Sequence, residues 1–281
     1  MAATVETRRG VGPLLRDWRV RRRRSQLDLS LDVGVSARHL SFVETGRSRP
    51  SPELVLAVAD ELDVPLRERN ALLLAAGYAP RYTETSLDAD EMARVRAALQ
   101  RMLDGHDPYP GVVIDRLWNV VLANRAAALL TAGVPAPLLG PPLNVFRVCL
   151  HPEGLAARTR NFPEWSAYLL GQLHRLTVLT ADAELRALTD EIATYPNLPP
   201  ARDWRHATPD EPQLLVPVRV DAGDAELSMF TTLTTFGTPQ DITLAELAVE
   251  LFYPADDASE AMLRAAARSA SPVGARALPD G

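Results

Sequence analysis

The side chains best suited to catalysis or metal binding are scattered along this sequence. The histidines form no His-x-x-x-His pair; they are His39, His106, His151, His174 and His206. The single cysteine, Cys149, precedes His151 by two residues, a motif too short by itself to indicate a metal site. The sequence also contains no Gly-x-Ser-x-Gly elbow, no phosphate-binding loop and no dinucleotide fingerprint. We therefore expect neither an enzyme nor a metal site.

Arginines near the N-terminus form the group of side chains whose binding partner is easiest to predict. They include the run 21–24 together with Arg38, Arg47 and Arg49, and they outnumber the acidic residues of the first 51 positions. The whole chain nevertheless carries a formal charge of −6. The run 21–24 either forms a solvated cluster near a helix end or contacts phosphates, and the motif that follows it favours phosphate contact. A basic end on an acidic protein indicates nucleic-acid binding.

The elements that would position these arginines lie between Ser25 and Ser51. Ser25 and Ser36 each stand where a residue can cap a short helix, and Gly34 stands at the end of the first one. The apolar positions of the two helices are Leu29, Val33, Leu40 and Val43. This spacing predicts a helix-turn-helix whose second helix enters the DNA major groove. Spacing alone also fits a helix hairpin that binds nothing.

A family resemblance decides between these alternatives. The order Gln26, Gly34-Val-Ser36, Leu40-Ser41, Glu44-x-Gly46 and Pro50-Ser51 strongly resembles the phage-repressor-like helix-turn-helix family, often called XRE. The resemblance covers residues 11–77 and implies a five-helix domain that binds double-stranded operator DNA. The contacts that it implies are Gln26, Ser36, Ala37, Arg38, His39 and Ser41. The basic residues expected to join them are Arg24, Arg47 and Arg49. Ala37 and Phe42 depart from the polar residues of some repressors, so the base preference stays open.

At 281 residues the chain has room for two domains. We expect a flexible arm at 1–10, the helix-turn-helix domain at 11–77, a linker and connecting helix at 78–104, a second domain at 105–256 and a disordered tail at 257–281. The connecting helix either packs on a core or serves as a dimer helix. No stretch is long and apolar enough to span a membrane, and a single cysteine fits the reducing cytoplasm, where we place the protein.

The second domain is predicted to be an α+β fold with about five antiparallel strands. A hairpin at 111–115 and 118–122 opens it, helices at 144–150, 163–179 and 183–195 fill its middle, and strands at 214–220, 226–235 and 246–252 close it. Alternation in the last strand puts Leu247, Val249 and Leu251 on one face, and Glu246 and Glu250 on the other. The order of elements resembles a PAS-type sensor domain.

Several motifs in this region resemble bacterial regulators with an MmyB-like ligand-binding domain. They include Pro108-Tyr-Pro, Asp115-Arg-Leu-Trp118, His151-Pro-Glu-Gly154 and Glu246 to Pro254. The resemblance implies an apolar effector, such as a bound lipid or a fatty-acid-like molecule, and no other cofactor. The expected lining residues are Trp118, Trp165, Tyr168, Met229 and Phe230, with Arg147 or His174 available for a carboxylate. Core packing is the alternative role for the aromatic residues, and helix capping is the expected role of Asn124.

These features predict a transcription regulator that binds double-stranded DNA as a homodimer and senses a small apolar ligand. The alternative is a ligand-independent DNA-binding protein, whose second domain serves dimerisation or partner docking. A membrane partner is not expected.

Overall fold

The computed structural model describes residues 10–180, 182–206, 214–223 and 225–269. The chain divides into two compact units. Of the described residues, the first comprises 10–86 together with 237–245, and the second comprises those within 87–236 together with 246–269. The expected flexible arm lies, except for Gly10, outside the described residues.

The first unit contains the five short helices that the sequence predicts. They are α1 Val11–Arg21, α2 Gln26–Asp32, α3 Ala37–Glu44, α4 Pro52–Glu61 and α5 Leu66–Ala75. Their shared core includes Leu15, Leu29, Leu40 and Val55, each at most 1% exposed. Each such side chain contributes about 1.5–3 kcal/mol when it leaves water, so this apolar core holds the short helices together.

The second unit is built on one five-stranded antiparallel sheet. Its strands are β1 Gly111–Ile114, β2 Val120–Ala123, β3 Val218–Ala222, β4 Ala225–Thr235 and β5 Ala248–Pro254. Their order across the sheet is β2-β1-β5-β4-β3, which places β5 at the centre. The neighbouring pairs are antiparallel. The expected class, a helical bundle followed by an α+β domain, is confirmed.

Helices pack against this sheet. They are α6 Ala93–Asp104, α7 Ala128–Thr131, α8 Val145–Leu150, α9 Phe162–Thr180, α10 Ala183–Ile192 and α12 Asp257–Ser269. The segment between β4 and β5 contains the short helix α11 Ile242–Glu246. The main core joins side chains of the sheet with those of α8, α9 and α10, among them Val112, Phe146, Leu170 and Leu188.

The closing strands differ from their predicted bounds. The third strand begins at Val218 rather than at residue 214, and the last begins at Ala248 rather than at residue 246. Alternation was expected to place Glu250 on a polar face, but Glu250 is only 5% exposed. The prediction was wrong because Glu250 shares its face of β5 with Phe252, which belongs to the main core.

The predicted disorder from residue 257 is wrong for residues 257–269, which form α12. Few large apolar residues occur there, but Leu263 and Ser259 are buried, at 1% and 0% exposure. Small residues let this helix approach the sheet, and the hydrophobic pattern therefore underestimates its packing. The remainder of the expected tail, from residue 270, lies outside the described residues.

Candidate functional site

The helix pair α2–α3 has the local geometry that its sequence predicts. The Ser25 hydroxyl oxygen accepts a hydrogen bond from the Asp28 N–H (3.0 Å), and the Ser36 oxygen accepts one from the His39 N–H (3.1 Å). Each serine thereby satisfies a backbone donor that a helix start leaves free. Gly34 has φ +70°, the left-handed conformation that glycine adopts without steric cost. The corner between the two helices is therefore fixed by local chemistry.

The predicted DNA contacts at the start of α3 and along it differ in exposure. Leu40 and Val43 of α3 point into the core, while Ser36 and Arg38 are exposed. The remaining contacts predicted on α3 are half-buried; they are Ala37, His39 and Ser41. None of these predicted contacts is fully buried. Their individual contacts with DNA stay predictions.

Gln26 is held in place by a network that sequence reasoning missed. Gln26 Nε2 donates to Glu44 Oε2 (2.7 Å). Arg19 on α1 donates to both carboxylate oxygens of Glu44, through Nε (2.6 Å) and Nη2 (2.9 Å). Glu44 is 3% exposed, and its hydrogen bond raises the pKa of Arg19 above the usual value. A buried carboxylate with a bidentate arginine restrains Gln26 at the start of α2.

The arginines around the pair fall into two groups. Arg38 and Arg47 lie over the Phe42 ring, at 5.3 Å and 5.9 Å from its centroid, and both are exposed. Arg24 forms an ion pair with Asp32. Arg49 donates to the carbonyls of Ala76 (3.1 Å) and Gly77 (3.2 Å), just beyond the end of α5. Arg38 and Arg47 are therefore better placed than Arg49 for DNA.

The second unit contains an apolar cavity of about 260 Å³ between the sheet and the helices α7 and α8. Strands β1, β2 and β5 contribute Val112, Val120 and Phe252 to its wall. The helical side of the wall includes Ala127, Leu130, Val145, Val148 and Cys149. This volume lies just below the range of about 300–1,000 Å³ that is usual for small-molecule pockets. The cavity is suited to a small apolar molecule.

Four polar side chains line the cavity in different states: Asn124, Thr131, Cys149 and Glu250. Asn124 is fully bonded: its Oδ1 accepts from the N–H groups of Gly111 (3.0 Å) and Ala127 (3.1 Å), and its Nδ2 donates to Tyr109 O (2.8 Å). Its predicted role as a helix cap is confirmed. Burial raises the pKa of the Cys149 thiol to about 12, so this thiol stays protonated. The Thr131 hydroxyl donates to the Ala128 carbonyl (3.2 Å). Glu250 differs from the other three, because its Oε2 has no hydrogen-bond partner within the described ranges.

The seven predicted ligand contacts lie elsewhere in the second unit. Three of them are buried in the main core: Trp118, which packs on Phe146, Trp165 and Met229. Tyr168 stacks on Trp165, and Phe230 stacks on Tyr253. Arg147 is paired with Glu191 (2.7 Å), and His174 is half-buried on α9, where it interacts with other residues. All seven are described, and the wall of the cavity includes none of them. Their role in ligand binding stays a prediction.

Comparison with known families gives this geometry a context. Residues 15–69 match the helix-turn-helix family, and residues 95–266 match the MmyB-like transcription regulator ligand binding domain. The second match covers more than half of the 281 residues. The chain belongs to the MmyB-like transcription regulators. The resemblances to the helix-turn-helix family and to the MmyB-like regulators are thereby confirmed. A comparison with curated proteins finds no match.

The domains of this MmyB-like regulator are those of a DNA-binding protein with a ligand-binding domain, and neither belongs to an enzyme family. Among the residues that the structure describes, no helix is both long and apolar enough to cross a bilayer. In this regulator the exposed side of α2 and α3 is the candidate DNA interface, and the cavity beneath α7 and α8 is the candidate ligand site.

Proposed function

We propose that this regulator binds operator DNA as a homodimer in the cytoplasm, and that a small apolar molecule in the cavity sets its DNA affinity. The observation that carries the proposal is the cavity itself. Its wall is made mainly of aliphatic side chains from the sheet and from α7 and α8. It lies in the part of the chain that matches a ligand-binding domain.

The DNA-binding part of the proposal is supported by the exposed side of the helix pair. Recognition helices of this kind read base edges in the major groove, and a symmetric dimer places two of them on half-sites about one helical turn apart. Arg38 and Arg47 remain exposed in the isolated chain, while Gln26 is restrained at the start of α2. A restrained side chain loses less conformational entropy when it binds.

Regulation requires that the ligand bind one arrangement of the protein better than another. The chain path offers a physical link. Strands β4 and β5 belong to the second unit, but the residues 237–245 that join them belong to the first. A change in the ends of these strands would therefore act on the first unit through a few covalently joined residues.

The proposal is tested by occupying the cavity permanently. Ala127 lines the cavity and is 7% exposed, so Ala127→Met fills part of the space without adding a charge. An operator would first be selected from random double-stranded DNA. We expect native mass spectrometry to find a small-molecule adduct on the purified wild-type protein and not on the variant. We also expect removal of the adduct to change the DNA affinity of the wild-type protein, measured by fluorescence anisotropy at fixed salt, and the same treatment to leave the affinity of the variant unchanged.

Ala98→Met is the matched control, because Ala98 is exposed on α6. It should behave as wild type in both assays. If the wild-type protein carries no adduct, and if Ala127→Met binds DNA as wild type does, the ligand-sensing proposal fails. The second unit would then serve dimerisation or partner docking, and analytical ultracentrifugation of the purified protein would show whether it forms a dimer.

A further inference from the structure

Glu250 is a carboxylic acid at the centre of the sheet. It lies on β5, opposite Val112 of β1 and opposite Leu233 of β4. Only 5% of the residue is exposed, and it forms part of the cavity wall. Its Oε2 has no hydrogen-bond partner in the described part of the chain. The cavity therefore contains a buried acceptor that the protein leaves unused.

The surroundings of Glu250 contain no compensating charge. The described residues that line the cavity include no arginine, lysine or histidine. Burial raises the pKa of Glu250 to about 7, and a hydrogen bond from the Thr231 side chain opposes only part of this effect. The Glu250 charge in turn contributes to the raised pKa values of Cys149 and Tyr168, after the larger effect of burial on each. Neither Cys149 nor Tyr168 offers Glu250 a positive charge.

A buried polar group without a hydrogen-bond partner destabilises the folded protein. Leaving one without a partner costs about 1–3 kcal/mol, and more when the group is charged. A leucine or a glutamine at this position would avoid the charge, and the neighbouring Val112 and Phe252 belong to a wall that is mainly apolar. A bound molecule that donates a hydrogen bond to Oε2 would remove the cost. The same molecule would place its apolar part against the aliphatic wall.

We propose that the cavity takes a small apolar amine, whose ammonium group donates to the Glu250 carboxylate while its hydrocarbon part fills the space between the sheet and α7 and α8. This inference rests on the proposed function. At roughly 30 Å³ for each water-sized group, the cavity holds about nine non-hydrogen atoms. An ammonium group supplies both a hydrogen-bond donor and the positive charge that the surroundings of Glu250 lack. A carboxylate ligand would instead meet a second acid in an apolar wall and is disfavoured.

Three probes of equal chain length separate the head groups: octylamine, 1-octanol and octanoic acid. Each would be titrated into the purified full-length protein at pH 7.5, with binding followed by isothermal titration calorimetry. We expect octylamine to bind at least 10-fold more tightly than octanoic acid, with octanol between them. Octanoic acid binding more tightly than octylamine overturns the inference and favours a fatty-acid-like effector. Failure of octylamine to bind overturns it as well. So does octanol binding as tightly as the amine, since the neutral donor would then suffice.

Glu250→Gln tests the acid directly. The amide keeps the shape and an acceptor oxygen, so we expect octylamine affinity to fall at least 10-fold and octanol affinity to change by less than 3-fold. Glu153→Gln, an exposed position between α8 and α9, is the matched control and should leave both unchanged. The comparison among probes on the wild-type protein remains decisive even if Glu250→Gln does not fold.

The outcomes distinguish this inference from the function on which it rests. If Ala127→Met abolishes octylamine binding but Glu250→Gln does not weaken it, the cavity is a ligand site and the role of Glu250 is overturned. If the probes do not bind, while the wild-type protein retains an adduct that Ala127→Met lacks, ligand sensing stands and the amine class is wrong.

Discussion

Arg38 and Arg47 share one aromatic ring on the outer side of the helix pair. Both guanidinium groups lie within 6 Å of the Phe42 centroid, at 5.3 Å and 5.9 Å. Such cation–π contacts at exposed sites contribute only about 0.5–1 kcal/mol, so they orient the arginines without holding them firmly. Arg38 lies on α3, and Arg47 lies in the loop after it. The two residues are therefore expected to play different parts on DNA.

Replacing Arg38 by alanine should raise the Kd for a selected operator by about 5- to 150-fold and relax the base preference, as loss of a base contact costs about 1–3 kcal/mol.

Replacing Arg47 by alanine should weaken binding to all DNA sequences by a similar factor. It should also reduce the slope of log K against log salt by about 1, as expected for a phosphate contact. Fluorescence anisotropy over a salt series measures both. Arg186→Ala on α10 is the control. An Arg38→Ala protein that binds the operator as wild type does would contradict the assignment of α3.

Glu250 makes the stability of the second unit depend on pH in a defined direction. Its pKa is raised to about 7 in the folded protein, above the ordinary value of 4.5. Between these values the folded state keeps a proton that the unfolded state has lost, so the unfolding free energy falls as pH rises. Below pH 4.5 the group is neutral in both states and contributes no such difference.

The neutral variant Glu250→Gln should lack this dependence. Between pH 4.5 and 8, we expect the wild-type unfolding free energy to fall by on the order of 3 kcal/mol relative to that of the variant. Urea unfolding, followed by circular dichroism at several pH values, gives the difference, and other titrating groups cancel in it. Parallel pH profiles for the two proteins would show that Glu250 is not buried as described.

Helix α12 is tied to the sheet by a small polar residue. The Ser259 Oγ accepts a hydrogen bond from the Ser228 N–H of β4 (2.9 Å), and Ser259 is 0% exposed. The Asp256 carboxylate accepts from the Ser259 N–H (2.7 Å) at the start of the helix. Leu263, one turn further on, is part of the main core. The helix thus contributes to the fold of the second unit.

Ser259→Ala should destabilise the second unit by about 1–3 kcal/mol, because the buried Ser228 N–H would lose its partner. The effect should appear as a lower urea midpoint with an unchanged slope. Ser269→Ala, at the exposed end of the same helix, should change stability by less than about 0.5 kcal/mol. Equal midpoints for the two variants would argue against a packed α12.

The chain path of the whole molecule places residues 237–245 in the first unit, although they join two strands of the second. Asp241 fixes this segment. Its Oδ2 accepts from the Thr83 hydroxyl (2.9 Å), the Thr85 hydroxyl (2.8 Å) and the Thr85 N–H (3.1 Å). Partial burial opposes ionisation, but these hydrogen bonds outweigh it and lower the pKa of Asp241. The carboxylate therefore holds the segment against the residues that follow α5.

Asp241→Ala should uncouple the effect of the ligand from DNA binding. We expect the variant to bind the operator within about twofold of wild type without a probe, and to bind octylamine normally. The change in operator affinity caused by octylamine should be lost, because the segment between β4 and β5 is no longer held. Gln240→Ala, at the exposed neighbouring position, is the control. Hydrogen exchange should also become faster at Thr85 in Asp241→Ala alone. An unchanged response to octylamine would contradict this path of coupling.

The helix-turn-helix was predictable from the sequence, because the interactions that define it are local. Ser25 and Ser36 cap their own helices three residues ahead, and Gly34 adopts the left-handed conformation that the corner requires. The number of strands and the hairpins β1–β2 and β3–β4 were also predictable, since alternation and turn residues lie within single hairpins. The expected bounds differed from the observed ones mainly in the closing strands, because the apolar pattern of these strands continues into the neighbouring turns.

The position of the candidate ligand cavity and of Glu250 depends on contacts between distant segments of the chain. Trp118, Trp165 and Met229 have the size and polarity of pocket residues, yet the sheet and α9 pack them into the core. Glu250 alternates with apolar residues as a solvent-facing strand residue would, yet β1 and β4 flank it and the cavity wall covers it. Burial depends on the neighbours that distant segments bring, and the pattern of a single strand carries no information about them. The residue that best indicates the ligand's chemistry was therefore visible only in the folded chain.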